Sequence, residues 1–252
     1  MENQENTSGK QNINIQVPSA ENIASRRSLI PVLFAAVIIF FFFNFFTVSY
    51  GRQEVVSVLY TKYNPFGGDK IKIGNQVWMA KNLAVDKFRN GDAIPEAKTK
   101  QEWEEYGDAG KAAWCYYDND PSNGEKYGKL YNWYAVSDPR GLAPDGWHIP
   151  SDAEWTKLTD YLGSAAGNKM KSTSGWNKNG NGTNESAFTG LPCGFRYNNG
   201  NFSLIGYLGF WWSSPEGDTN YAWYLYLDYK LGNVTRYYSN KGSGCSVRCL
   251  GD

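Results

Sequence analysis

Residues 143–155 read APDGWHIPSDAEW, and the second half of that stretch writes the start of a helix. Ser151 and Glu154 stand three apart, the capping-box spacing. In a capping box the hydroxyl accepts from the N3 backbone N–H, and the carboxylate reaches back to the cap. Pro150 precedes the cap, and Trp155, Leu158 and Leu162 then recur on one helical face until Gly163 supplies a stop. Trp155 reads as a core anchor rather than as a platform for a ligand.

Outward from this helix the chain reads as short strands. Ile71-Lys72-Ile73, a Gly74-Asn75 turn and Gln76–Met79 predict a first hairpin. Thr99 and Glu102 repeat the capping-box spacing ahead of Trp103 and Tyr106, which predicts a second, short helix. From Gly163 to about Ser186 the chain is polar and turn-rich, and Asn179-Gly180-Asn181-Gly182 breaks any long helix. Tyr197–Phe202 reads as a turn between two strands. Ala222–Lys230, Gly232-Asn233 and Val234–Tyr238 make the strongest hairpin, and Ser246–Cys249 reads as a last strand. In the hairpin Trp223, Leu225, Leu227 and Tyr229 alternate with Tyr224, Tyr226 and Asp228. If Trp223 faces the core, Tyr224 and Tyr226 face outward. Short antiparallel strands, one or two helices and long loops define an α+β domain. The aromatic share of 16% and the 27 glycines fit such a fold better than a helical bundle.

Before this body lies LIPVLFAAVIIFFFFNFFTVSY, residues 29–50, with no charge in it. An α-helix needs roughly 20 apolar residues to cross a bilayer core, so Leu29–Tyr50 is expected to be a single transmembrane helix. Arg26 and Arg27 precede it, with Lys10 further back, and only Arg52 follows closely. That bias places the N-terminus in the cytoplasm and the C-terminal body outside, in the periplasm or at the cell surface. A cleaved signal peptide fits less well than an uncleaved signal-anchor, because no small-x-small site follows the run. No Cys follows it to carry a lipid. Residues 1–28, rich in Asn, Gln, Glu and Ser, read as a disordered tail. Residues 51–69 read as a stalk, and 70–252 as one domain. Lys plus Arg equals Asp plus Glu at 25 each, so charge gives no case for a nucleic-acid partner.

Seven phrases are too specific to be composition. They are IGNQVWMAKNL at 73–83, YGKLYNWYA at 127–135, APDGWHIPSDAEW at 143–155, NESAF at 184–188, LPCGFR at 191–196, WWSS at 211–214 and SVRC at 246–249. In this order they closely resemble the Fibrobacter succinogenes major paralogous domain family, from about Lys70 to the C-terminus. The resemblance implies a C-type-lectin-like fold, distantly similar to that of formylglycine-generating enzymes. It also implies a bacterial exported or surface domain without an established activity. Members often carry Gly in place of Cys193 and an aromatic in place of Cys245, and two unusual cysteines suggest that they meet. A Cys193–Cys245 disulfide is therefore expected in an oxidising compartment, with Cys115–Cys249 as a weaker second pair. Some members have a Cys where this chain has Ala143.

Against this resemblance the chemistry-bearing residues are sparse. Cys245 and Cys249 form C-x3-C, and the enzymes of similar fold use a cysteine pair with copper. Here the spacing differs, and Cys249 belongs to the general Ser-Val-Arg-Cys phrase. His148 is the only histidine, so any Ser-His-Asp triad would have to use it. A buried, hydrogen-bonded structural histidine is the expectation, and one histidine without a Cys-x2-Cys pair does not make a zinc site. The calcium-lectin loop and Trp-Asn-Asp strand are missing, and Pro215–Asp218 and Asp118–Asp120 read as solvated turns. No catalytic set, metal or cofactor is expected. The ligand-binding candidates are Tyr224, Tyr226, Arg236 and Tyr237, aromatic rings flanked by a cation, which suit sugar stacking. The expected function is a membrane-anchored, non-catalytic binding module for a glycan, an envelope polymer or a surface protein. The alternatives are a thiol or copper redox enzyme and a purely structural envelope domain.

Overall fold

The computed structural model describes residues 70–252. The expected tail, transmembrane helix and stalk lie outside the described residues. Among the described residues no helix is long and apolar enough to cross a membrane.

Two sheets organise the domain. Strands β1 (Lys70–Ile73) and β2 (Gln76–Met79) form the first hairpin, turned at Gly74 with φ +59°. A Cβ there would also lie 3.0 Å from the Tyr161 ring, so backbone conformation and packing both select glycine. β2 pairs with β11 (Leu250–Gly251), which pairs with β5 (Trp147–His148), giving the order β1-β2-β11-β5. The second sheet runs β10-β9-β8-β6-β7. Its strands are β6 (Cys193–Arg196), β7 (Phe202–Ile205), β8 (Leu208–Glu216), β9 (Tyr221–Asp228) and β10 (Val234–Asn240). β6 and β8 pair in parallel at Gly194 and Gly209, whereas β8, β9 and β10 form an antiparallel meander. A small ladder joins β3 (Trp114–Cys115) to β4 (Leu130–Tyr131).

Both capping boxes form. Helix α1 (Lys100–Asp108) starts at Thr99, with reciprocal bonds to Glu102. After it come α2 (Pro121–Tyr127), α3 (Trp133–Val136), α4 (Asp152–Leu162) and α5 (Ala166–Met170). α4 is the helix written by residues 151–162: Ser151 N–H donates to the Glu154 carboxylate at 2.8 Å. One or two helices were expected, and the described residues hold five. The extra ones run one or two turns, too short to show an apolar period. Two of them are fixed instead by local caps, Asp120 for α2 and Asn132 for α3.

Two expectations about strands are corrected. Ser246–Cys249 is not a strand. Cys245 and Ser246 make single bridges to Tyr131 and Trp211, and the carbonyls of Val247 and Cys249 accept from Leu83 and Met79. The segment threads between several elements, and regular pairing begins only at Leu250. β9 does not have one core face and one wet face either. Leu225 and Leu227 pack with Trp78, Trp155, Phe188 and Trp211 in one cluster that includes the buried face of α4. Ala222 and Tyr224 pack with Phe210, Trp212 and Trp133 in another. A strand covered on both sides cannot present alternate residues to solvent.

Candidate functional site

The β9–β10 hairpin carries the exposed aromatic surface. β10 is the edge of the five-stranded sheet, and the pairing sets Tyr238 opposite Trp223, Arg236 opposite Leu225 and Asn240 opposite Tyr221. Tyr237, Tyr238 and Tyr221 are 52%, 44% and 40% exposed. The rings of Tyr237 and Tyr238 stack with centroids 4.7 Å apart and planes 11° apart. Tyr238 meets both Tyr221 and Trp223 edge-on at 5.6 Å. The neighbouring Tyr237 phenol raises the pKa of Tyr238, first through charge and then through a hydrogen bond. The Tyr238 hydroxyl thus stays a neutral donor and acceptor at the rim.

Arg236 joins this surface to α4. Its guanidinium lies 3.6 Å over the Trp223 ring and pairs with Asp152 at the start of the helix. Asp152 is held from behind by the Ser213 hydroxyl at 2.9 Å. Beyond Arg236, between α4 and the hairpin, lies a groove of about 410 Å³. Thr156, Thr159, Asp160 and Asn233 line it with polar groups, and Trp155, Ala166, Leu225 and Val234 line it with apolar ones.

The four sequence candidates are divided by this arrangement. Arg236 and Tyr237 are exposed and belong to the surface. Tyr224 does not: it is 9% exposed, and its ring packs edge-on against Phe210 and Trp212. Tyr226 is half-buried with its ring 5.8 Å from Phe210. Beside the four, the structure adds Tyr221, Trp223, Tyr238 and Asp152 to this surface. Only Tyr221, Trp223 and Tyr238 carried a signal in sequence, as members of the dense aromatic run.

His148 is half-exposed rather than buried, with 38% of its side chain accessible. Its Nδ1 faces the Asp252 carboxylate at 2.7 Å and its Nε2 faces Glu154 at 2.9 Å. Two carboxylates suit the doubly protonated ring, in which both nitrogens donate. The Ser151 hydroxyl donates to Glu154 at 2.8 Å, so Glu154 stands between the serine and the imidazole. Partial burial opposes the charged ring, but the hydrogen bonds to Asp252 and Glu154 outweigh it and raise the His148 pKa. This interaction stabilises the fold fully below the unfolded value of about 6.5 and is lost as pH rises through the higher folded value. In a His148→Gln variant the stability deficit should be greatest near pH 6 and shrink in alkaline solution, with a ceiling of about 1 kcal/mol for a solvent-screened pair. Urea melts at several pH values measure it; a deficit that grows with pH contradicts the assignment.

Neither expected disulfide is formed. Cys115, Cys193, Cys245 and Cys249 are all free thiols with no solvent exposure. Cys193 accepts a hydrogen bond from the Ser246 hydroxyl at 3.2 Å. Cys115 packs with Trp103 and Leu130, in a different cluster from Cys249. Burial pushes the thiols of Cys115 and Cys249 up to about 12 and raises those of Cys193 and Cys245. They behave as small apolar side chains filling the core. The two acidic loops are occupied as turns: Asp218 accepts from the N–H groups of Asn220 and Tyr221, and Asp120 caps α2. Among the described residues no three His, Cys, Asp or Glu side chains are grouped so as to hold a metal ion.

Residues 71–250 match the family model described as the Fibrobacter succinogenes major domain. No curated protein and no solved structure matches the chain.

Proposed function

The chain belongs to the Fibrobacter succinogenes major domain family, and on that premise we propose that it is a membrane-anchored, non-catalytic glycan-binding module with a C-type-lectin-like fold. Leu29–Tyr50 is its membrane partner, and the domain stands outside the cytoplasm. The observation that carries the binding reading is the edge cluster of Tyr221, Trp223, Arg236, Tyr237 and Tyr238. Large rings left at a wet edge, each with a polar rim, offer faces to sugar C–H groups and hydroxyls to sugar oxygens. Nucleic acid is a poor fit, because basic and acidic residues balance. A thiol enzyme needs accessible thiolates, and here all four cysteines are fully buried.

A glycan array probed with the full-length protein tests the proposal. Binding to at least one surface polysaccharide is expected. The Tyr237→Ala, Tyr238→Ala double variant should lose about tenfold or more in affinity. It should keep its melting temperature, because both rings are exposed. An array without a single bound glycan refutes the glycan reading.

A further inference from the structure

We infer that the groove between α4 and the β9–β10 hairpin is a subsite for a neutral hexopyranose, a refinement that rests on the glycan-binding reading above. Its volume of about 410 Å³ falls in the roughly 300–1,000 Å³ range of small-ligand sites. The walls are mixed in the way a pyranose is mixed. Trp155, Leu225 and Val234 supply an apolar floor for ring C–H groups. Asp152, Asp160, Asn233 and Arg236 supply planar acceptors and donors around it. Such flat, bidentate groups can engage neighbouring hydroxyls in pairs.

Charge narrows the class. Arg236 neutralises Asp152, while Asp160 makes no ion pair among the described residues. The walls themselves hold two carboxylates, one cation and no lysine, which disfavours uronates and phosphorylated sugars relative to neutral ones. Continuity sets the direction of the chain. Arg236 lines the groove and also covers Trp223, and Trp223 touches Tyr238. An oligosaccharide seated in the groove continues across Arg236 onto the tyrosine edge.

The test is calorimetric titration of the full-length protein with cellohexaose, mannohexaose and maltohexaose, and with oligogalacturonate as the anionic comparison. Two groove variants are used. Thr156→Trp fills the space from an exposed helix position, and Asn233→Ala removes one exposed amide. At least one neutral oligosaccharide should bind. Asn233→Ala should weaken it about tenfold and Thr156→Trp should abolish it, both with unchanged melting temperature. Binding that survives both groove variants but disappears in the Tyr237→Ala, Tyr238→Ala variant overturns the groove and leaves the glycan reading intact. Preference for the galacturonate also overturns it. No binding of any oligosaccharide, joined with an empty glycan array, overturns both.

Discussion

Arg248→Ala is expected to cost the domain about 3–5 kcal/mol, a large part of the 5–15 kcal/mol that holds a typical domain together. Arg248 is 1% exposed and has no carboxylate partner among the described residues. Instead it donates four hydrogen bonds: two to Asn82 Oδ1 at 3.1 and 2.8 Å, and one each to the carbonyls of Met79 and Phe188 at 3.2 and 2.7 Å. Its charge also rests 4.4 Å from the Phe188 ring. Burial lowers its pKa, but no proton acceptor of opposite charge is at hand to replace the carbonyls. Removing the side chain leaves buried acceptors without donors, at about 1–3 kcal/mol for each orphaned group.

The reciprocal change, Asn82→Leu, should be as damaging. It takes away an acceptor shared by Arg248 and the Trp211 indole N–H, which lies 2.9 Å away. Arg248→Lys should rescue little, because an ammonium cannot span Asn82 and two separate carbonyls. Urea denaturation measures all three. A loss below about 1 kcal/mol in both Arg248→Ala and Asn82→Leu would show that solvent replaces these bonds, and that the buried arginine is not the joint between β2, the Phe188 loop and the C-terminal segment.

The second large effect is expected from Trp78→Ala, at about 3–5 kcal/mol. Trp78 is fully buried on β2. Its ring lies 4.6 Å from Trp155 of α4 and 5.9 Å from Phe188, and Phe188 in turn lies 5.7 Å from Trp211 of β8. This run of rings ties the first sheet to the helix and the helix to the second sheet. Truncation opens a cavity at the meeting point of all three, where rigid rings cannot close in. Trp78→Phe provides the control. The indole N–H of Trp78 has no partner among the described residues, so the substitution sacrifices no hydrogen bond there and should cost well under half as much. Equal losses in the two variants would mean that the cost lies elsewhere than in the lost volume.

Local rules made part of this molecule legible. Ser151–Glu154 and Thr99–Glu102 announce their helices because a capping box is a contact between residues three apart. Gly74-Asn75 and the turn at Tyr197–Phe202 announce hairpins for the same reason. The seven family phrases hold the Ser151–Glu154 box and the Gly74-Asn75 turn, and they also include Trp78, Asn82, Trp155, Phe188, Trp211 and Arg248, the residues that meet in the core. Which of them meet is not written locally. Asn82 and Arg248 are 166 positions apart, and no periodicity links them.

The candidate site was harder to read. The alternation in YAWYLYLD requires two faces, but it leaves open whether one or both are covered. Pairing with β8 on one side and β10 on the other makes β9 an interior strand. α4 covers one face and the Phe210–Trp212 cluster fills the other. Tyr224 is thereby buried, whereas Tyr237 and Tyr238, on the edge strand, stay wet. The cysteines teach the same lesson. Four thiols in an expected exported domain argue for bridges by compartment, while their placement depends on packing that no spacing reveals. The sequence by itself determined the two capping-box helix starts, the hairpin turns, the apolar run at 29–50 and the family, because each is local or is carried as a fixed phrase. Only the tertiary structure decided which aromatics reach solvent, that Arg236 bridges Asp152 and Trp223, and that His148 lies between two carboxylates. Those outcomes depend on which distant segments cover a given face, and burial is a property of the assembled layers rather than of any stretch within them.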